Sequence, residues 1–473
     1  MAKRLRLHRL GRPTGSTDIE PSCGVLDVLA GATIERRLVI DCGAAIGHTS
    51  GQERLRTPDL SLFQDGRPID AVLLTHAHHD HMGSLPALTP FLAPNAAIYM
   101  TKPTAAALRH MFRIELGAAR PLGAPKPYTK DQARETLRRI AEIDRVGSHE
   151  LFPGLPVWVH PAGHISGACS FTLSIDGHRV HYTGDRCDHD QPGILGCPRL
   201  PDEWRPDIVA GSDCTYGHDT AVTSDWRSEM DRTAEICRQA LEDGRRVLIY
   251  TFALHRAGAI AHELQRLGLA RDGEVFIDGS AADYAQMFAG KRHHWCDRDQ
   301  PLAIDQVNLI RDRRQRQAIV GSPGGHVIIA PPGMGGPGGI GCWWRREFLP
   351  DPDAVVAFTG YVASGTDGQL ILEAAAEREA SGQVQRVVFQ ETDRQGKRQR
   401  VSLALRCRIE HFRLGGHNDR QRTIQWFLDV MPETAVLSHG CVSALADVEA
   451  ELAGSAIKRL VRSDLQSVVE IDL

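Results

Sequence analysis

The stretch on which the interpretation of this chain depends is Ala71-Val72-Leu73-Leu74-Thr75-His76-Ala77-His78-His79-Asp80-His81-Met82-Gly83. Its apolar first four residues predict a short buried strand. Four potential metal ligands then follow within six residues, namely His76, His78, Asp80 and His81. Ligands at i and i+2 on an extended segment point to one side and can share a metal, whereas those at i+4 and i+5 lie past the bend and can reach a second metal. Imidazole and carboxylate without thiolate favour zinc, with manganese or iron as lesser options.

The alternative interpretation is a His-rich surface loop with adventitious metal affinity. Three later segments argue against it, because each has an apolar strand pattern that ends in a further metal-ligand type. These segments are 157–167, which contains His164, 180–185, which ends in Asp185, and 436–440, which contains His439. Four such segments predict a built metal site more strongly than a single cluster does.

The spacing and order of these motifs resemble the metallo-β-lactamase superfamily. The resemblance implies one metal held by His76, His78 and His164 and a second held by Asp80, His81 and His439. It also implies that Asp185 bridges the two metals. The segment 37–43 resembles the first motif of the superfamily, in which Asp41 orients the ligand loop and does not bind metal.

The composition is that of a globular protein with two or three domains, or one domain with a large insertion. The chain has 473 residues, of which 42% are hydrophobic, and a net charge of −4. Its eleven cysteines include no C-x-x-C pair, which suggests buried or free thiols in a reducing compartment. No signal-peptide pattern and no apolar run of membrane-spanning length occur, so we expect a cytoplasmic protein with no membrane partner.

Positive charge is concentrated in three clusters. They are Lys3 to Arg12, Arg311 to Arg316, and Arg394 to Arg408. Such clusters are usually solvated faces, but local phosphate attraction would also allow a basic groove on a protein of slightly negative net charge.

The local patterns predict several elements in the first half of the chain. Residues 103–116 and 129–143 have helical periodicity, with Thr129 as the N-cap of the second helix. The dipeptide Asp176-Gly177 between two strand patterns predicts a β-hairpin with a type I′ turn.

The sequence pattern changes after residue 213 to alternating predicted helices and strands. Ser224 is the expected cap of a long helix, and strands are predicted at 247–252, 275–278, 326–330 and 355–359 with a helix through 255–267. This alternation predicts a parallel sheet covered by helices. The glycine-rich segment 331–339 lacks the Gly-Lys-Ser/Thr ending of a P-loop, and it is either a plain connection or a cradle for a substrate phosphate.

A metallo-β-lactamase core divided by such an insertion resembles the β-CASP nucleases. The resemblance rests on the segments 212–217, 250–257, 414–420 and 438–440. It implies an α/β fold, in which a metallo-β-lactamase αββα sandwich formed by residues 1–213 and 409–473 carries an inserted α/β β-CASP domain at residues 214–408. One departure is Gly415-Gly416 before His417, where a Ser-Ala type pair is common in the family.

The implied function is metal-dependent hydrolysis of single-stranded RNA, as an endonuclease, a 5′-exonuclease or both. Two zinc ions, with manganese as an alternative, would hold a shared hydroxide that attacks the phosphodiester. The predicted catalytic residues are Asp213, His417 and Asp80: Asp80 as a metal ligand, His417 as the acid that protonates the leaving O3′, and Asp213 as its partner. The products would carry 5′-phosphate and 3′-hydroxyl ends.

Three other functions are left open by the sequence. A DNA nuclease of the Artemis type is the nearest, but that branch has an aliphatic residue at the position of His439, so His439 favours RNA. A non-catalytic scaffold subunit of an RNA-processing complex is disfavoured because every ligand position is filled. A small-molecule metallohydrolase would not explain Asp213 and His417. A homodimer is compatible with the sequence and is not indicated by it.

Overall fold

The computed structural model describes residues 3–11, 21–49, 52–117, 126–220, 226–271, 273–336, 339–392 and 398–473. The first thirteen strands are β1 (Lys3–Arg9), β2 (Gly24–Ala30), β3 (Thr33–Ile40), β4 (Ala45–Thr49), β5 (Gln52–Arg56), β6 (Ala71–Leu73), β7 (Ile98–Thr101), β8 (Ile140–Ile143), β9 (Gly147–Phe152), β10 (Leu155–Pro161), β11 (Cys169–Ile175), β12 (His178–Tyr182) and β13 (Ile208–Gly211). The later strands are β14 (Arg246–Tyr250), β15 (Val275–Asp278), β16 (Asn308–Ile310), β17 (His326–Ala330), β18 (Val355–Thr359), β19 (Gln385–Thr392), β20 (Arg398–Leu405), β21 (Arg408–Phe412), β22 (Thr434–Leu437), β23 (Arg459–Arg462) and β24 (Val468–Asp472).

The α-helices alternate with these strands. They are α1 (His79–Met82), α2 (Lys102–Gly117), α3 (Lys130–Arg138), α4 (Trp226–Glu242), α5 (Arg256–Arg266), α6 (Ser280–Phe288), α7 (Arg313–Gly321), α8 (Gly339–Phe348), α9 (Asp367–Ser381), α10 (Arg420–Val430) and α11 (Val442–Leu452).

Two seven-stranded sheets form the αββα sandwich. Their strand orders are β24-β1-β2-β3-β6-β7-β8 and β23-β22-β13-β12-β11-β10-β9. Apolar side chains of both sheets, such as Leu38 and Phe171, share one buried cluster between them. On the outer faces, Phe112 of α2 packs against the first sheet and Phe427 of α10 packs against the second. Helices therefore cover both outer faces, as the sequence predicts.

The third sheet has six strands in the order β16-β15-β17-β14-β18-β21, and every recorded pairing in it is parallel. This is the predicted insertion sheet. The last strand, Arg408–Phe412, pairs with β18, so the predicted return to the sandwich at residue 409 falls inside a strand of the third sheet. Because that strand is bonded to the insertion, we propose that the return follows Phe412.

Several local expectations are confirmed. The apolar run before the ligands contains the fully buried strand β6. Asp176 and Gly177 both have positive φ, as a type I′ turn requires. The Thr129 side chain accepts a hydrogen bond from the backbone N–H of Gln132 within a capping box. Ser224, the expected cap of α4, lies outside the described residues.

One helix prediction is wrong in length. The helix expected over 129–143 ends at Arg138, and Ile140–Ile143 forms β8. Residues of β8 pair in parallel with Ile98–Thr101 at the edge of the first sheet. The helical periodicity of the sequence therefore extends past the end of the helix into residues that form a strand. Pairing with a neighbouring strand outweighs local helical preference there.

Candidate metal centre

The predicted ligands converge where strands of the sandwich end. His76 and His78 follow β6, and Asp80 and His81 lie in the one-turn helix α1. His164, Asp185 and His439 follow β10, β12 and β22. Seven side chains thus form two groups that could each hold a metal, one of His76, His78, His164 and Asp185 and one of Asp80, His81, Asp185 and His439.

In the first group, three imidazole nitrogens meet. Nδ1 of His78 lies 3.2 Å from Nε2 of His76 and 3.0 Å from Nε2 of His164. Burial, followed by the neighbouring His76, lowers the pKa of His78 to about 3. Burial likewise lowers the pKa values of His76 and His164. These neutral imidazoles are in the protonation state that a metal requires.

The second group combines imidazole with carboxylate. Nε2 of His439 lies 3.0 Å from Nε2 of His81 and 3.3 Å from Oδ2 of Asp80. Burial opposes a charge on His439, but the carboxylates of Asp185, Asp213 and Asp80 overcome it and raise its pKa to about 10. The surroundings of this group therefore favour a cation.

Asp185 belongs to both groups through different oxygens. Its Oδ2 lies 3.4 Å from Nε2 of His76 and 3.5 Å from Nε2 of His164. Its Oδ1 lies 3.1 Å from Nε2 of His81. One carboxylate oxygen facing each group is the arrangement expected of a bridging ligand.

Hydrogen bonds behind the ligands fix their orientation. Nδ1 of His81 lies 2.8 Å from Oδ2 of Asp41, which also accepts from the Thr75 hydroxyl at 2.9 Å. Nδ1 of His164 lies 2.6 Å from the carbonyl oxygen of Gly416. Asp41 thus orients a ligand without joining either group, as predicted. Such outer partners set the tautomer of a ligand and raise its basicity.

The donor atoms fit metal ions because some of them are buried without a hydrogen-bond partner. Oδ1 of Asp185 and Nε2 of His78 are buried and have no hydrogen-bond partner among the described residues. Buried polar atoms without a partner cost free energy unless a bound group, such as a cation, satisfies them. Nitrogen and oxygen donors without thiolate match zinc or manganese. We conclude that the two groups suit a dinuclear metal centre.

His417 and Asp213 form a pair beside the ligands. Nδ1 of His417 donates to Oδ2 of Asp213 at 2.8 Å, and its Nε2 lies 4.0 Å from Oδ2 of Asp185. Asp213 also accepts hydrogen bonds from the backbone N–H groups of Arg186 and Thr215. Burial opposes a charge on His417, but Asp213 raises its pKa above the usual range. His417 can therefore hold a proton next to the ligand cluster.

Two family models match this chain. A beta-lactamase superfamily domain matches residues 36–249 and a Beta-Casp domain matches residues 249–371. The chain belongs to the β-CASP family of the metallo-β-lactamase superfamily. Members of this family are hydrolytic nucleases, so this β-CASP chain is a hydrolase and a metallo-nuclease.

Relatives match over most of the chain. Transcription termination factor FttA of Methanosarcina mazei is 25% identical over 94% of this chain and 68% of its own length. Integrator complex subunit 11 of Gallus gallus is 24% identical over 89% of this chain and 67% of its own. The RNase J-like protein of Methanocaldococcus jannaschii is 23% identical over 90% of this chain and 91% of its own length.

The fold also occurs in a solved structure. A protein of unknown function from Enterococcus faecalis V583 superposes with a TM-score of 0.55 at 11% identity, covering 100% of both chains. At this identity the likeness concerns the fold alone. No helix in the described ranges is long and apolar enough to cross a membrane.

Close packing explains the unusual glycine pair before His417. A Cβ atom on Gly416 would overlap Nη2 of Arg256 and lie 2.7 Å from the carbonyl oxygen of His164. A Cβ on Gly415 would lie 3.0 Å from the hydroxyl of Tyr216. The β-CASP residue Arg256 therefore occupies space that a larger residue would need, and local sequence patterns could not reveal this contact.

Sequence reasoning missed two threonines that support the ligands. Oγ1 of Thr75 lies 3.1 Å from Nδ1 of His76, and Oγ1 of Thr215 lies 3.1 Å from Nδ1 of His439. Both lie inside segments that the motifs identify, but a hydroxyl beside a ligand is too common a pattern to predict such a bond from sequence.

Carboxylates partly neutralise the predicted basic clusters. Arg316 forms an ion pair with buried Asp278, and Arg6 forms one with Glu470. In the third cluster Arg408 contacts Glu410, while Arg394 and Lys397 lie outside the described residues. Part of the positive charge of each cluster is therefore engaged in ion pairs within the chain.

Proposed function

We propose that this β-CASP chain hydrolyses single-stranded RNA with water, leaving 5′-phosphate and 3′-hydroxyl ends. The observation that carries the proposal is His417, which lies outside the two four-residue ligand groups, pairs with Asp213 and turns Nε2 toward Asp185. These three residues form a third, smaller cluster of potential metal ligands. A proton donor beside a dinuclear centre suits a phosphodiester, whose O3′ alkoxide is a poor leaving group.

Two zinc ions, with manganese as the alternative, would be held by the two ligand groups that share Asp185. When bound, such a pair lowers the pKa of a water molecule toward neutrality and polarises the phosphate. Asp80 supplies the most exposed of the ligand carboxylates, with 32% of its side chain accessible. It therefore lies at the side of the centre from which substrate can approach.

The pair of Asp213 and His417 would supply the proton that the leaving O3′ needs. Asp213 accepts from Nδ1 of His417, which leaves the proton on Nε2 directed toward the ligand cluster. Nε2–H can then be donated to O3′ as the P–O bond breaks. The negative charge of Asp213 stabilises the imidazolium before the transfer. General acid catalysis of this kind contributes typically ~10²–10⁴-fold to the rate.

Two observations favour RNA over DNA as the substrate. His439 completes the second metal group, whereas the resemblance places an aliphatic residue there in the DNA branch. One relative that matches over most of its length is named as RNase J-like, and another as a transcription termination factor. Both names favour a substrate made of RNA.

The test compares labelled RNA and DNA single strands of one base sequence, incubated with the purified metal-loaded chain. We expect RNA hydrolysis well above DNA hydrolysis, with 5′-phosphate and 3′-hydroxyl ends found by sequencing the products. The Asp80→Ala variant purified in parallel controls for contaminating nucleases. Comparable or faster hydrolysis of DNA would assign the chain to the DNA branch, and RNA products with 3′-phosphate ends would contradict the mechanism.

A further inference from the structure

The carboxyl edge of the third sheet lies against the metal centre. Strands β17, β14, β18 and β21 are parallel neighbours, so the segments that follow them emerge at one edge. The segment after β21 carries His417, which fixes the direction in which this edge faces. Ligands of parallel α/β sheets bind outside the carboxyl ends of the strands. The other three segments are therefore candidates for contacts with substrate.

The segment after β14 places an aromatic ring beside a metal ligand. Phe252 follows the last residue of the strand by two positions and is half-buried. Its ring centroid lies 6.3 Å from that of His78, and the two rings are tilted by 46°. Because His78 belongs to the first metal group, a phosphate at the metals would bring its attached nucleoside within reach of this ring.

The segment after β17 supports the ring from behind. A Cβ atom on buried Gly333 would lie 2.9 Å from the backbone nitrogen of Phe252 and 3.0 Å from its Cδ2. The absence of a side chain at this position lets the backbone pack directly against the ring. Phe252 is therefore held in place by the glycine-rich segment, which the sequence left as either a connection or a phosphate cradle.

We propose that Phe252 is a stacking platform for the base of the nucleotide next to the scissile phosphate, with Gly333 as its support. The inference rests on the proposed nuclease function and adds a substrate contact to it. An aromatic face stacks on any base, so this contact would select unpaired nucleotides without selecting a sequence. A base within a duplex is already stacked on its neighbours and could not use the platform, which would explain a preference for single strands.

The test separates stacking from simple apolar packing. Phe252→Leu removes the aromatic face and keeps an apolar side chain, whereas Phe252→Tyr keeps the face. Phe276→Leu is the matched control, because Phe276 is also half-buried in the third sheet and also packs against a histidine ring, that of His326 at 5.7 Å. Each substitution is placed in the His417→Ala chain, which should retain both metals and cleave slowly, so that RNA affinity is measured at an occupied metal centre before appreciable cleavage.

Affinity is measured by fluorescence anisotropy with a labelled single-stranded RNA and with a series carrying one abasic nucleotide at successive positions. We expect Phe252→Leu to weaken binding about 5- to 100-fold, the range that stacking energies imply. Phe252→Tyr and Phe276→Leu should stay within about twofold of the parent. One abasic position should weaken binding to the parent and have no further effect on Phe252→Leu.

Two further outcomes decide the proposal. Gly333→Ala should also weaken RNA binding and reduce the effect of the abasic nucleotide, since it displaces the ring without removing it. Equal abasic sensitivity in the parent and in Phe252→Leu would overturn the platform, as would a loss of affinity in Phe252→Leu that Phe276→Leu shares. A parent that binds with these properties while the metal-loaded wild type cleaves no RNA would instead contradict the proposed hydrolysis and leave the platform intact.

Discussion

The two sides of the candidate metal centre are built differently. On the sandwich side, seven side chains from four strand-end segments converge, and hydrogen bonds from residues such as Asp41 and Thr75 fix most of the imidazoles from behind. On the insertion side, the carboxyl edge of a parallel sheet contributes glycine backbone and the ring of Phe252. His417, which follows the last strand of that sheet, is held by Asp213 of the sandwich side.

This difference indicates a division of roles. A metal centre needs fixed geometry, and five of its seven candidate ligands are buried, most of them with a hydrogen-bond partner behind the donor atom. A surface that receives a flexible single strand needs aromatic faces on which successive bases can stack. Substitutions on the sandwich side should change metal content, and those on the insertion side should change rates and RNA affinity.

The largest expected effect follows from removing a ligand. Asp80→Ala takes a carboxylate from the second metal group, so we expect loss of at least one metal together with loss of RNA hydrolysis. Elemental analysis of wild type purified without added metal should find about two metals per chain, most of it zinc. His417→Ala is the control that should retain both. No more than a trace of metal in gently purified wild type would exclude the dinuclear centre.

The next effect separates proton transfer from metal binding. His417→Ala should lower the rate of RNA hydrolysis by ~10²-fold or more, because O3′ then departs without a proton. A model diester with a p-nitrophenolate leaving group needs little protonation and should be nearly unaffected. Equal losses on RNA and on that diester would indicate that His417 positions the substrate. Loss of metal from the variant would place His417 among the ligands and erase the contrast between the two sides.

A smaller effect is expected behind the ligands. Asp41→Asn keeps a side chain that tolerates the positive φ of this position, 60°, but weakens the acceptor for His81. Metal affinity should fall about 10- to 100-fold, as is typical when such a partner is lost. Competition with a chromophoric chelator measures this. Asp176→Asn is the matched control, since Asp176 also has positive φ but lies in a hairpin turn. An unchanged affinity in Asp41→Asn would show that the ligands hold their own geometry.

The end of α3 shows where local patterns stop being sufficient. Residues 129–143 have one continuous helical periodicity, and Thr129 caps the helix as predicted. Ile140–Ile143 nevertheless pairs with β7. A segment with three apolar residues out of four fits a helix or a strand equally well, and the choice depends on whether a sheet edge lies within reach. That information is absent from the segment itself.

The sequence alone determined the types of the candidate ligands and the order of the elements. Both can be recognised in short stretches of the chain, where histidines and carboxylates follow apolar runs. The tertiary structure decided what meets across long separations. Asp213 and His417 are 204 positions apart, yet they share a hydrogen bond because the insertion sheet ends beside the sandwich. Phe252 reaches His78 for the same reason, and Gly416 is needed because Arg256 packs against it. Such contacts depend on how two sheets are placed in space, which no local pattern contains.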